Sequence, residues 1–141
     1  MMGQHRNPSL TTDVFIFDDE ANFILIKRKN DPYKGHWALP GGFVEYNESV
    51  ENAAVREALE ETSIDVELLD LVGVYSEPGR DPRGHTVTVA YTARGDMSKM
   101  NACDDAAEIG IFTPENIEDI ELAFDHAKII KDCLGIVKSQ F

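Results

Sequence analysis

Cysteine is scarce in this chain, and its scarcity removes one kind of chemistry at the outset. Cys103 and Cys133 lie far apart and form no C-x-x-C pair. They read as free thiols, with Cys133 packed in a helix face. Long apolar runs are missing as well. None approaches the ~20 residues a membrane crossing needs, so no membrane partner is expected. The start, MMGQHRNPSL, lacks the apolar core of a signal peptide, and a cytoplasmic protein is the expectation. Basic residues are few: 13 Lys and Arg stand against 26 Asp and Glu, a formal charge of -13. Binding a nucleic-acid duplex draws on clustered Lys and Arg, so no nucleic-acid partner is expected. A small phosphorylated ligand is not excluded, because a metal and a few local arginines can hold a diphosphate in an acidic protein. There is no internal repeat, low-complexity tract or long linker. What is present is an ordinary globular share of hydrophobic residues, 43% of 141, which suffices for a single domain over 1–141 with a real core.

The apolar runs place the elements. Val14–Phe17 and Phe23–Ile26 are short strands around a turn, predicted as a hairpin. Lys27–Gly35 is a polar loop, and His36–Leu39 is another short strand. Val66–Tyr75 reads as a strand pair or one long strand. Glu77–Gly84 is a charged loop with Pro78, Gly79, Pro82 and Gly84. His85–Arg94 alternates, with Val87, Val89 and Tyr91 on one side, which predicts a half-buried strand. Ala107–Phe112 is a further strand. Leu122–Leu134 has a helical stripe, with Gly135 as its stop.

Between these strands lies the segment that carries chemistry. Residues 49–62 are rich in Ala, Glu, Leu and Arg, with no Gly or Pro, and read as a helix. Asn47 or Ser49 is placed to cap it. A helix turns about 100° per residue, so Glu57, Glu60 and Glu61 share an arc of roughly 100°. Carboxylates that close repel one another, and a divalent cation relieves the repulsion. The all-oxygen set, with no His or Cys nearby, suits Mg2+ or Mn2+. Arg56, always charged, is suited to pair bidentately with Glu48 or to orient a helix carboxylate. Just upstream, Trp37-Ala38-Leu39-Pro40-Gly41-Gly42 is an apolar run that ends in a Gly pair, and Gly lets backbone approach a ligand closely.

From Gly42 to Ile64 the spacing is G-x5-E-x7-R-E-U-x-E-E-x-S-U, with U aliphatic. Gly42, Glu48, Arg56, Glu57, Glu60 and Glu61 resemble the signature of the Nudix hydrolases, in which Ser63 is replaced by Gly. The resemblance implies an α/β/α sandwich of the α+β kind with a mixed central sheet. It implies hydrolysis of a nucleoside diphosphate linked to another group X, with Glu57, Glu60, Glu61 and the Gly41 carbonyl as metal ligands. Glu57 is one candidate for general base. Some family members take the base from a later loop, where Asp104, Asp105 and Glu108 stand, Asp105 foremost. Many family members are dimers, which leaves a homodimer open. A Gly at position 63 would accept a left-handed backbone more readily than Ser63 does.

Group X rests on a second stretch. Tyr75–His85 contains Asp81-Pro82-Arg83-Gly84 and resembles a loop of ADP-ribose pyrophosphatases. Arg80 and Arg83 are then candidates for the terminal phosphate and ribose, and Phe15, Arg28 and Trp37 for the base or ribose. The products would be AMP and ribose 5-phosphate. Two other readings compete: a nucleoside triphosphate pyrophosphohydrolase that removes damaged nucleotides, and a module that senses ADP-ribose without cleaving it.

Overall fold

A computed structural model describes residues 6–101 and 106–140. In chain order the elements are β1 (Ser9–Ile16), β2 (Phe23–Arg28), β3 (Trp37–Ala38), β4 (Gly41–Phe43), α1 (Val50–Thr62), β5 (Glu67–Tyr75), β6 (Thr86–Arg94), β7 (Ala106–Phe112) and α2 (His126–Lys138). Single 3-10 turns cover Met97–Lys99 and Pro114–Asp119. The strands form a four-stranded sheet ordered β4-β1-β6-β5 and a three-stranded sheet ordered β3-β2-β7. The first is mixed, because β1 runs parallel to β6 and antiparallel to β4. Among the described residues, no helix is long and apolar enough to cross a membrane.

Successive β1 side chains point to opposite faces, and both faces are covered. Val14 and Ile16 pack with Ala54 and Ala58 of α1, while Phe15 and Phe17 pack with Ile129, Ile130 and Cys133 of α2. The layers are therefore helix, strands, helix, as expected. Cys133 is buried in the inner face of α2.

Three expectations change. The predicted hairpin does not form, because β1 and β2 join different sheets and touch only through an isolated bridge, Phe17 to Phe23. Asp18 turns the chain there by accepting hydrogen bonds from the Glu20 and Asn22 backbone, each at 2.9 Å. In β6 the threonines, not the valines, are buried: Thr86, Thr88 and Thr92 are at most 4% exposed. β6 is an inner strand flanked by β1 and β5, so its hydroxyl face is covered as well. The last helix begins at His126 and runs through Gly135, since Leu122 instead bridges Trp37 and Phe124 has a φ of 53°, outside the helical range.

Helix α1 follows its sequence closely. Ser49 caps it by accepting the Asn52 N–H at 3.1 Å. At the other end Ser63 has φ 65°, and its N–H closes on the Leu59 carbonyl at 2.9 Å. A left-handed Ser is strained where Gly is not. Ser63→Gly is expected to raise stability by about 0.5–1 kcal/mol in chemical denaturation. A loss of stability would show that the Ser63 side chain contributes more than its backbone strain costs.

Candidate active site

Strand β4 brings two glycines against the acidic face of α1. An added Cβ on Gly42 would lie 1.5 Å from Glu57 Oε2, and one on Gly41 would lie 1.9 Å from the Thr12 carbonyl oxygen. Only the missing side chains permit this approach. The Gly41 N–H donates to Glu61 Oε2 at 3.3 Å. Glu61 is 9% exposed, low for a carboxylate.

Arg56 holds the rest of the acidic face together. Its Nε and Nη2 donate to the two oxygens of Glu48 at 2.6 and 2.9 Å. Its Nη1 donates to Glu57 at 2.9 Å and to Glu60 at 3.2 Å, and Nη2 also reaches the Phe43 carbonyl at 3.1 Å. The two roles open to Arg56, pairing with Glu48 and orienting helix carboxylates, are filled at once. Arg56 positions carboxylates, and Glu48 anchors Arg56. That bond draws Glu48 down to about 2.

Glu57 moves the other way. Burial, then a hydrogen bond shared with Glu60, raises it to about 7 against the pull of Arg56. A carboxyl that keeps its proton because another acid crowds it is a donor that a divalent cation would suit. Among the described residues no three acidic, His or Cys side chains converge closely enough to enclose an ion, since Arg56 Nη1 bridges Glu57 and Glu60. The donor chemistry, carboxylate oxygen on one helix face, fits a hard cation.

The raised Glu57 has a consequence for metal-free protein. The folded state holds this proton more tightly than the unfolded chain, whose value is near 4.5. Its contribution to stability is therefore complete below 4.5 and lost as pH rises through about 7. His126, lowered by burial, contributes with the opposite sign. Wild type is expected to lose Tm relative to Glu57→Gln over that window, since both retain His126. A parallel pair of Tm–pH curves would show that Glu57 is not shifted.

A cavity of about 270 Å³ opens beside these groups. Gly41, Gly42, Glu57 and Glu61 line it, and so do Arg28, Arg80 and Arg83, so the two stretches singled out in the sequence meet. Glu60 is outside the lining. The arginines differ in freedom. Arg80 is nearly buried and grips Asp125 bidentately at 2.9 and 2.6 Å, with Thr86 Oγ1 at 2.8 Å. Arg83 is exposed and pairs with buried Asp81 at 2.7 Å. Arg28 donates its Nε to the Pro32 carbonyl at 2.7 Å.

Two expected contacts are corrected. Phe15 is fully buried among Phe17 and Phe23 and does not line the cavity. The Trp37 ring packs edge-on against Phe112 and does not line it either. Both obey the ordinary pull of aromatic area into a core. Asp104 and Asp105 lie outside the described residues, and Glu108 pairs with Lys27 at 3.2 Å away from this cavity.

Several lining residues escaped the sequence reading: Asp13, Phe43, Phe124 and His126. The Leu39 N–H donates to His126 Nδ1 at 3.0 Å, which leaves the ring proton on Nε2, facing Asp13 Oδ1 at 3.4 Å. Thr88 donates to the other Asp13 oxygen at 2.7 Å. Burial holds His126 below and Asp13 above its ordinary value. An acid beside the apolar run Val14–Phe17 was the one available signal. Thr12, also lining the cavity, has a buried hydroxyl with no partner among the described residues.

The model of the NUDIX domain matches residues 8–133. The chain belongs to the Nudix family. Over 128 residues it is 48% identical to an ADP-ribose pyrophosphatase of Methanocaldococcus jannaschii, an alignment covering 91% of this chain and 74% of that protein. It is 36% identical to the ADPR responsive transcriptional repressor NtrR of Acinetobacter baylyi, over 93% of this chain but only 55% of the repressor. Its fold superposes with TM-score 0.83 on the NUDIX domain of Shewanella oneidensis NrtR complexed with ADP ribose, at 27% identity, over 94% of this chain and 90% of that one. Within this Nudix domain Glu57 and Glu61 of the helix, the glycine pair and Arg80 and Arg83 of the loop line one cavity.

Proposed function

We propose that this Nudix domain, over 1–141, is an enzyme that hydrolyses ADP-ribose to AMP and ribose 5-phosphate with Mg2+ or Mn2+. The observation that carries the reading is the shared cavity: Glu57 and Glu61 of the Nudix signature and Arg80 and Arg83 of the loop line the same 270 Å³ space. Glu57, Glu60 and Glu61, with the Gly41 carbonyl, would hold the cation, which supplies charge neutralisation on the diphosphate and acidifies bound water. Arg56 holds the carboxylates in register by its bonds to Glu57 and Glu60. Arg83, exposed and paired with Asp81 through Nε and Nη2, has Nη1 outside that pairing to offer a phosphate. Water attacks one phosphorus, the bridging P–O bond breaks, and the water proton passes to a carboxylate. Glu57 and Asp105 are the candidates for that base. The substrate is a small nucleotide, the setting cytoplasmic, and no nucleic acid takes part. Gel filtration decides whether a homodimer forms.

A second reading is favoured by the likeness to the repressor: binding of ADP-ribose without cleavage. Intact Glu57, Glu60 and Glu61 argue for catalysis. Purified protein with Mg2+ or Mn2+ should be assayed on ADP-ribose, nucleotide sugars, dinucleoside polyphosphates and oxidised nucleoside triphosphates. Cation-dependent release of AMP from ADP-ribose is the expected result. Tight binding without turnover supports the sensor, and preference for an oxidised triphosphate supports the nucleotide-cleansing alternative. No turnover of any diphosphate ends both enzyme readings.

A further inference from the structure

The cavity carries aromatic rings that cleavage of a diphosphate does not need. Phe124 is the more telling one. Its φ of 53° is a conformation that a bulky side chain holds only when its surroundings impose it. The surroundings are plain. The Ala123 N–H is fixed to the Trp37 carbonyl at 2.8 Å, the Asp125 carboxylate is gripped by Arg80, and the His126 ring is fixed by Leu39. With the chain clamped on both sides, the Phe124 ring lines the cavity instead of joining the core. Arg28 stands 5.0 Å from its centroid, Tyr33 4.8 Å and Arg83 5.6 Å. Arg83 is also 5.3 Å from the ring of Phe43, which is 47% exposed and lines the same cavity.

Rings that share a guanidinium in an open cavity suit one class of group, a flat heterocycle with a π-face and ring-nitrogen lone pairs. Phosphate and ribose have no π-face. We infer that Phe124, together with Phe43 and Arg83, forms the purine subsite of this domain. This inference rests on the ADP-ribose reading for its choice of ligand, and it assigns the adenine end. Arg83 stays in place, held by Asp81 through Nε and Nη2, and its side chain is 44% exposed. The base then stacks beside Phe124 and Phe43, against the exposed guanidinium of Arg83.

AMP and ribose 5-phosphate separate the two ends of the substrate. Each is titrated calorimetrically, with Mg2+, into wild type, Phe124→Leu and Phe124→Tyr, after thermal melts confirm that all three fold. Leu is expected to weaken AMP about tenfold, a loss within the range of base–aromatic stacking, while Tyr retains AMP binding. Ribose 5-phosphate binding stays unchanged in both. With ADP-ribose, Leu raises KM more than it lowers kcat. Unaltered AMP affinity in Phe124→Leu overturns the subsite, as does equal weakening of both products. Failure to hydrolyse ADP-ribose would overturn the proposed reaction but leave the AMP titration to decide the subsite.

Discussion

Glu61→Gln is expected to stay folded and to lose turnover by on the order of a thousandfold, the loss of several kcal/mol of transition-state charge stabilisation. The fold survives because the amide oxygen of Gln still accepts the Gly41 N–H that Glu61 Oε2 accepts at 3.3 Å. The volume is nearly the same in a position 9% exposed. What disappears is the negative charge, and a hard cation is held mainly by charged oxygen. Mn2+ titration should therefore weaken alongside kcat, with the melting curve close to wild type. Near-normal rates would remove Glu61 from the metal site. A collapsed fold would mean instead that its charge holds β4 in place.

Gly41→Ala is expected to fail for the opposite reason. Its Cβ would meet the Thr12 carbonyl oxygen at 1.9 Å and the Asp13 Cα at 2.9 Å, both main-chain atoms that no rotamer change can clear. Strand β4 must then part from β1, breaking the pairing of Thr11 to Phe43, Thr12 to Gly42 and Asp13 to Gly41. A cost of about 3 kcal/mol, the upper part of the usual overpacking range, should appear as a lower urea midpoint. Gly42→Ala is the control. The three atoms nearest its Cβ all belong to the Glu57 side chain, at 1.5 Å to Oε2 and 2.5 Å to Cδ, and a side-chain tip can swing away. It should keep its stability and lose roughly a hundredfold in kcat, as displaced reacting groups do. Equal destabilisation of the two variants would contradict this division between a structural glycine and a functional one.

The helix and its acids were legible because both depend on local spacing. Ala, Glu and Arg without Gly or Pro make α1, and its turn alone brings Glu57 beside Glu61. The layer order followed from the Nudix resemblance. Strand pairing was not legible, since it depends on partners distant in the chain. Val14–Phe17 and Phe23–Ile26 look like a hairpin until β6 supplies β1 with a parallel neighbour. Burial misled in the same way. Thr88 seems a surface residue until its hydroxyl is seen to bond Asp13 across 75 positions. The ring chemistry of Phe15 and Trp37 suits a substrate contact, but Phe15 lies in the core and Trp37 packs against it. Phe124 shows no sign in sequence, because its place in the cavity wall comes from a backbone clamp made by Arg80, Trp37 and Leu39 together.

The bond from Leu39 to His126 joins residues 87 apart, and with the Asp13 contact it ties the first strand, the glycine turn and the last helix to one imidazole. Synthesis passes through the Nudix signature, Gly42 to Ile64, before it reaches Phe124 and His126. A nascent chain at that stage has the acidic residues of α1 but lacks the wall made by Phe124 and His126. The cavity wall is therefore complete only once the start of α2 is made, and chains cut short before it carry the full signature without that wall.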